Sequence, residues 1–147
     1  MIKILILAKS IDGGTGTFIL NFLKIKRLFN NKLILKTVIL EKPKYRKIKV
    51  NTLIHKKNFY PNYYFFINSL KYFFKDILLI KKTINKEKPD IVLSINNYAN
   101  LIITLSKLLF KFNAKIILTH HNNLTQILNF RCSPLLKLFI KILLPIL

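Results

Sequence analysis

Cysteine occurs once, at Cys132. A single thiol makes neither an internal disulfide framework nor a thiolate metal site within one chain, and this cysteine usage reads as cytoplasmic. Long apolar runs are missing too. The stretches around Ile77–Ile80 and Leu135–Leu147 are broken by lysine or proline well short of the ~20 residues that a spanning helix needs. The run from Ile4 to Ala8 ends at Lys9, too early for a signal peptide. Acidic residues number only 5 against 26 Lys+Arg, a net charge of +21. That balance suits an anionic membrane or nucleic acid. However, Lys, Asn, Ile, Phe and Leu are enriched together, as A/T-rich codon usage would produce, so the charge alone names no partner. Glycine is scarcest where it would be most useful as punctuation: Gly13, Gly14 and Gly16 are all there is, and they share one loop.

Around that loop the chain is organised. Lys3–Ala8 is a continuous apolar run and reads as a strand buried on both faces. The glycines follow, and then Phe18, Leu20, Phe22, Leu23 and Leu28 recur at helical spacing, with Thr15 or Thr17 as a hydroxyl N-cap. Strand, glycine turn and helix N-terminus aim several N–H groups outward, a site for anionic or polyhydroxyl ligands. A tight turn that binds nothing is the plainer alternative.

The length of 147 residues and a 52% hydrophobic content fit one domain, 1–147, with a sizeable core. A second strand is expected over Lys32–Leu40, closed by Glu41-Lys-Pro-Lys, and a third over Lys47–His55 from its period of two. Residues 58–63 form a loop. From about Tyr64 to Lys86, residues Phe66, Leu70, Phe73, Phe74, Ile77, Ile80 and Ile84 share one helical face, with Lys71, Lys75, Lys82 and Lys86 mostly opposite. Such a helix either covers the sheet with a solvated outer face or lies on an anionic membrane. Lys88-Pro-Asp90 ends it. Ile91–Ile95 is a short buried strand, Asn96–Asn100 a polar turn, and a helix follows over about Ala99–Phe112. Ala114–Thr119 is a further strand, leading into His120-His121-Asn122-Asn123, and Ser133-Pro134 opens a last helix.

Strands alternating with helices give an α/β fold, a Rossmann-like parallel sheet with helices on both faces. Ligands of such sheets gather beyond the C-terminal strand ends. Three polar clusters are expected there: Ser10–Thr17, Asn96–Tyr98 and His120–Asn123.

Several chemistries fail on these residues. A nicotinamide fingerprint needs a small residue where Ile19 stands, although Glu41 could mimic its ribose-binding acid. No glycine is followed by Lys-Ser or Lys-Thr, which excludes a phosphate-binding NTPase loop. Paired histidines suggest a metal, but neighbours in sequence project differently and no third ligand is evident, so no metal is expected. No serine stands on a strand–helix elbow.

Taken together, Gly13-Gly14-Thr-Gly-Thr-Phe-Ile-Leu-Asn-Phe-Leu after the first strand, Lys88-Pro-Asp-Ile-Val-Leu-Ser, and Lys115-Ile-Ile-Leu-Thr-His-His-Asn resemble the N-terminal, acceptor-side domain of a family 4 glycosyltransferase. The resemblance implies half of a GT-B architecture. It implies retaining transfer of a sugar from a nucleotide-sugar donor to a glycan or lipid-linked acceptor in cell-envelope polysaccharide biosynthesis, with no cofactor. By this resemblance Gly13, Gly14, Thr15, Gly16, Thr17, Asn96, Asn97, Tyr98, His120 and Asn122 line the substrates, and His121 contacts the donor sugar at the reaction centre. The family's C-terminal donor-binding domain would have to be supplied in cis or in trans, and the 147 residues alone are expected to be inactive. A peripheral membrane position is expected through Phe66, Lys71, Lys75 and Lys82; nucleic acid is not expected as a partner. The rival class is a non-catalytic basic module that binds anionic membrane or RNA through lysines and interleaved aromatics such as Phe59, Tyr60, Tyr63 and Tyr64.

Overall fold

The computed structural model describes residues 1–29, 32–41, 52–54 and 65–119. The expectations for 47–51, 55–64 and everything from His120 onward therefore lie outside the described residues. Five strands form one sheet: β1 (Ile2–Ala8), β2 (Leu33–Ile39), β3 (Thr52–Ile54), β4 (Ile91–Ile95) and β5 (Lys115–Thr119). Their order is β3-β2-β1-β4-β5, and every adjacent pair is parallel. Among the described residues three helices lie between strands: α1 (Gly14–Lys26), α2 (Phe65–Glu87) and α3 (Asn97–Phe110). A short 3₁₀ turn, Arg27–Phe29, extends α1.

Parallel strands need crossovers, and those through α1, α2 and α3 each lay a helix on one face of the sheet. On one face, α1 covers Ile4, Ile6, Ala8, Leu35, Ile39, Leu93 and Ile95 with Ile19 as the buried anchor and Phe18, Phe22 and Leu23 packed around it. On the other, Ile77, Ile80 and Ile84 of α2 and Ala99, Ile102 and Ile103 of α3 cover Leu5, Leu7, Val38 and Val92. The alternation of β1 between these two sets is the strand period of two, with apolar residues on both sides because both faces are covered.

Three local expectations shift. Helix α1 begins at Gly14, so Thr15 and Thr17 lie inside its first turn and neither is the N-cap. Gly13 takes φ +71, which turns the chain into the helix early, and its carbonyl accepts the Thr17 N–H at 3.5 Å. Helix α3 likewise starts ahead of expectation, because Asn96 caps it, and it stops at Phe110, because Lys111 is left-handed at φ 46. Phe74, assigned to the buried face of α2, is exposed. The buried arc of that helix takes in Asp76, Thr83 and Glu87 beside Ile77, Ile80 and Ile84. At 3.6 residues per turn this moves its centre to roughly 120° from Phe74.

Candidate functional site

Chain order reverses between β1 and β4, which are neighbours in the sheet although two strands separate them in sequence. The loops leaving their C-terminal ends diverge to opposite faces and open a crevice, the usual ligand position in such folds. Two of the three expected clusters meet there: the loop after Ala8, and the turn after Ile95. The third begins directly after Thr119, the end of the next strand. His120, His121 and Asn122 themselves lie outside the described residues.

The first loop is built by short-range bonds. The Asp12 N–H donates to Ser10 Oγ at 3.1 Å, while the Ser10 hydroxyl donates to Asp12 Oδ2 at 2.9 Å. Ile11 between them is fully buried and fixes the loop to the core. Gly13 and Gly14 are exposed, and a β-carbon added at either would meet nothing within 4 Å. Packing therefore does not require glycine at Gly14. Thr15 is half-buried, Gly16 buried and Thr17 exposed. The Asp12 carboxylate just ahead of the helix complements its positive end.

The second wall is the start of α3. Asn96 has φ 73 and ψ 160, a region that residues other than glycine rarely occupy. Its N–H donates to the Thr119 carbonyl at 3.3 Å, its own carbonyl accepts the Asn100 N–H at 3.0 Å, and its side chain accepts the Ala99 N–H at 3.4 Å. Asn100, buried, donates from Nδ2 to the Thr119 carbonyl at 3.2 Å, and the Thr119 hydroxyl donates to the Ser94 carbonyl at 3.0 Å. The end of β5 is held by both asparagines at the Thr119 carbonyl. Asn97 is half-buried in the first turn of α3.

Between the two walls lies a polar group that the sequence did not single out as a unit. Lys9 Nζ sits 3.3 Å from Glu41 Oε1 and 5.4 Å from the centroid of the Tyr98 ring. Glu41, the candidate mimic of a ribose-binding acid, is thus engaged by Lys9. The Tyr98 hydroxyl donates to Asp76 Oδ2 at 2.7 Å. Burial, and then the hydrogen bond and negative charge of Asp76, push the Tyr98 hydroxyl far above its ordinary pKa. Tyr98 therefore stays protonated and serves as a fixed donor to α2, with its ring beneath the Lys9 ammonium. The Tyr98–Asp76 pair could not be read from spacing, since its partners stand 22 residues apart on different helices.

Of the membrane-facing candidates, Lys75 and Lys82 are exposed on α2, whereas the side chains of Phe66 and Lys71 lie outside the described set. No group of three or more His, Cys, Asp or Glu that could hold a metal occurs among the described residues.

No protein-family model matches the chain, and no curated protein matches it. A solved structure described as the apo form of the lipopolysaccharide outer core galactosyltransferase WaaB resembles it with a TM-score of 0.66 at 16% identity. The likeness covers 85% of this chain and 35% of that one, so the chain spans about a third of the length of that protein. The shared feature is the fold: a Rossmann-like α/β unit of the kind that forms one half of a GT-B glycosyltransferase.

Proposed function

We propose that this chain is the acceptor-side half of a retaining glycosyltransferase, working with a donor-binding half in cis or in trans on a nucleotide-sugar and a glycan or lipid-linked acceptor. The observation that carries the reading is the open ground in front of Gly13 and Gly14 at the β1/β4 crevice. Here the first turn of α1 supplies N–H groups, and Asp12, two residues ahead of the helix, supplies a carboxylate. Donors next to acceptors suit hydroxyl groups, which need both. The fold likeness to a galactosyltransferase supports the same assignment.

In this reading the transferred sugar passes through an oxocarbenium-like state while the leaving diphosphate gathers charge. Preorganised donors aimed at that charge lower the barrier because they need no reorganisation. Gly13 and Gly14 give the acceptor and the diphosphate close access to backbone, with Thr15 and the exposed Thr17 beside them and Gly16 buried behind them, and Asn96, Asn97 and Tyr98 form the facing wall. His121, directly beyond β5, contacts the donor sugar, with His120 and Asn122 beside it.

Substitution of Gly14 is the test. Since a β-carbon there has room and the backbone is helical, Gly14→Ala and Gly14→Val should fold normally. In an enzyme completed by its donor half, Gly14→Val should lower transfer by two orders of magnitude or more, corresponding to about 2.7 kcal/mol or more of barrier. Near-normal turnover in a folded Gly14→Val variant would reduce the loop to a simple turn.

A further inference from the structure

Helix α2 carries two acidic residues, Asp76 and Glu87, and both are turned into the protein. Asp76 accepts the Tyr98 hydroxyl, and Glu87 pairs with Lys36 of β2. Its described lysines, by contrast, are all exposed: Lys75, Lys81, Lys82 and Lys86. A/T-rich codon usage can multiply lysines, but it does not choose which way a carboxylate faces. The outcome is an outer surface on α2 whose charged groups are all of one sign.

Apolar side chains stand among those charges. Phe74 and Leu78 occupy adjacent turns of the outer face of α2, each more than half exposed, with Lys75 and Lys82 along one side of them and Lys81 along the other. Helix α3 lies beside α2 on the same face of the sheet and adds Leu108 and Leu109, also more than half exposed. Lys81 Nζ of α2 lies 4.3 Å from the Phe110 ring centroid of α3, which joins the two outer surfaces near their C-terminal ends. Single exposed apolar residues are ordinary, but four on two adjoining helices, set in unopposed cations, are a patch.

We propose that the paired outer faces of α2 and α3 dock on an anionic lipid surface, with Phe74, Leu78, Leu108 and Leu109 at the acyl boundary and the lysines on the headgroups. Charge complementarity selects the lipid, and the aliphatic residues favour it over nucleic acid, whose bases stack on aromatic rings. No helix among the described residues is long and apolar enough to cross a membrane, so the contact is with the surface. The patch also adjoins the crevice. Phe74 touches Phe73 at 6.1 Å between ring centroids, and Phe73 stands edge-on to Tyr98 at 6.4 Å. An acceptor carried by the bilayer would reach the crevice from this side.

The test uses the 147-residue chain and sedimentation with vesicles of phosphatidylglycerol in phosphatidylcholine, at about 0.15 M salt. Each lysine near an anionic surface is worth about fivefold in affinity. Lys75→Glu/Lys82→Glu should therefore weaken binding by more than tenfold. Lys24→Glu/Lys32→Glu makes the same change of charge away from the patch, since Lys24 lies on α1 across the sheet and Lys32 just ahead of β2, and should weaken it far less. Phe74→Ser/Leu78→Ser, at exposed positions that leave the core intact, should abolish the fraction of binding that survives high salt. Equal losses in the two lysine pairs would overturn the proposal, leaving only the effect of net charge. So would an absence of vesicle binding in a chain that retains RNA, and so would an unchanged Phe74→Ser/Leu78→Ser variant.

Discussion

Asn96 holds the most constrained backbone among the described residues of the crevice, at φ 73 and ψ 160. Such a conformation costs of order 1–3 kcal/mol outside glycine and persists only where its surroundings insist on it. Here they do: the Thr119 carbonyl, the Asn100 N–H and the Ala99 N–H all bind this one residue. Asn96→Gly should relieve the strain, lose a few tenths of a kcal/mol at the cap, and cost about 0.5–1 kcal/mol in chain entropy. The net expectation is a gain of about 1 kcal/mol, read from the midpoint of chemical denaturation. A loss would mean that the side-chain cap outweighs the strain. At this scale the sequence was informative where a residue type is rare or its geometry demanding. Three glycines in one loop mark the turn after β1. Lys9, Glu41, Tyr98 and Asp76 were each visible as residues but not as a group, because they come from separate elements and nothing in local spacing joins them.

Elements were legible to the extent that their cores repeat. The periodicities of β1, β2, β4 and β5 placed the described strands within a residue or two of those observed, and α2 runs over Phe65–Glu87 against an expected Tyr64–Lys86. The orientation of α2 was harder. Counting only apolar residues put Phe74 inward, whereas Asp76, Thr83 and Glu87 belong to the buried side and rotate the helix away from it. A buried carboxylate with a partner on another element is invisible to a hydropathy pattern. Helix ends were also obscured, since glycine, the usual left-handed terminator, is confined to a single loop. Lysine does that work instead, at Lys88 with φ 45 and at Lys111 with φ 46. Lysine in the left-handed region is disfavoured by about 1–2 kcal/mol relative to its helical form. The Lys111 N–H still closes the helix on the Lys107 carbonyl at 2.9 Å. Lys111→Gly should keep that bond and raise stability by about 1 kcal/mol in thermal or denaturant unfolding. No gain would show that the lysine side chain contributes as much as the backbone loses.

The whole molecule follows from how crossovers pair strands. Alternation of strands and helices was enough to expect a parallel sheet, but the order β3-β2-β1-β4-β5 was not readable, because periodicity does not say on which side of β1 the chain returns. That return places the loop after Ala8 beside the turn after Ile95, and so makes two clusters distant in sequence into the walls of one crevice. The charge of +21 likewise named no partner as a total. Each of the 5 acidic residues is engaged: Asp12 by Ser10, Glu41 by Lys9, Asp76 by Tyr98, Glu87 by Lys36 and Asp90 by the Lys3 N–H. Their placement gives the outer surface its character. The central claim is that this crevice is one side of a sugar-transfer site whose other side is a donor-binding half. The most direct measurement is transfer of a labelled sugar from a panel of nucleotide-sugars, by the 147-residue chain alone and by the chain joined or mixed with its donor half, with the anomeric configuration of the product read by NMR. The expected result is no transfer by the chain alone and transfer with retained configuration by the completed enzyme; robust turnover by the isolated chain, or an inverted product, would contradict it.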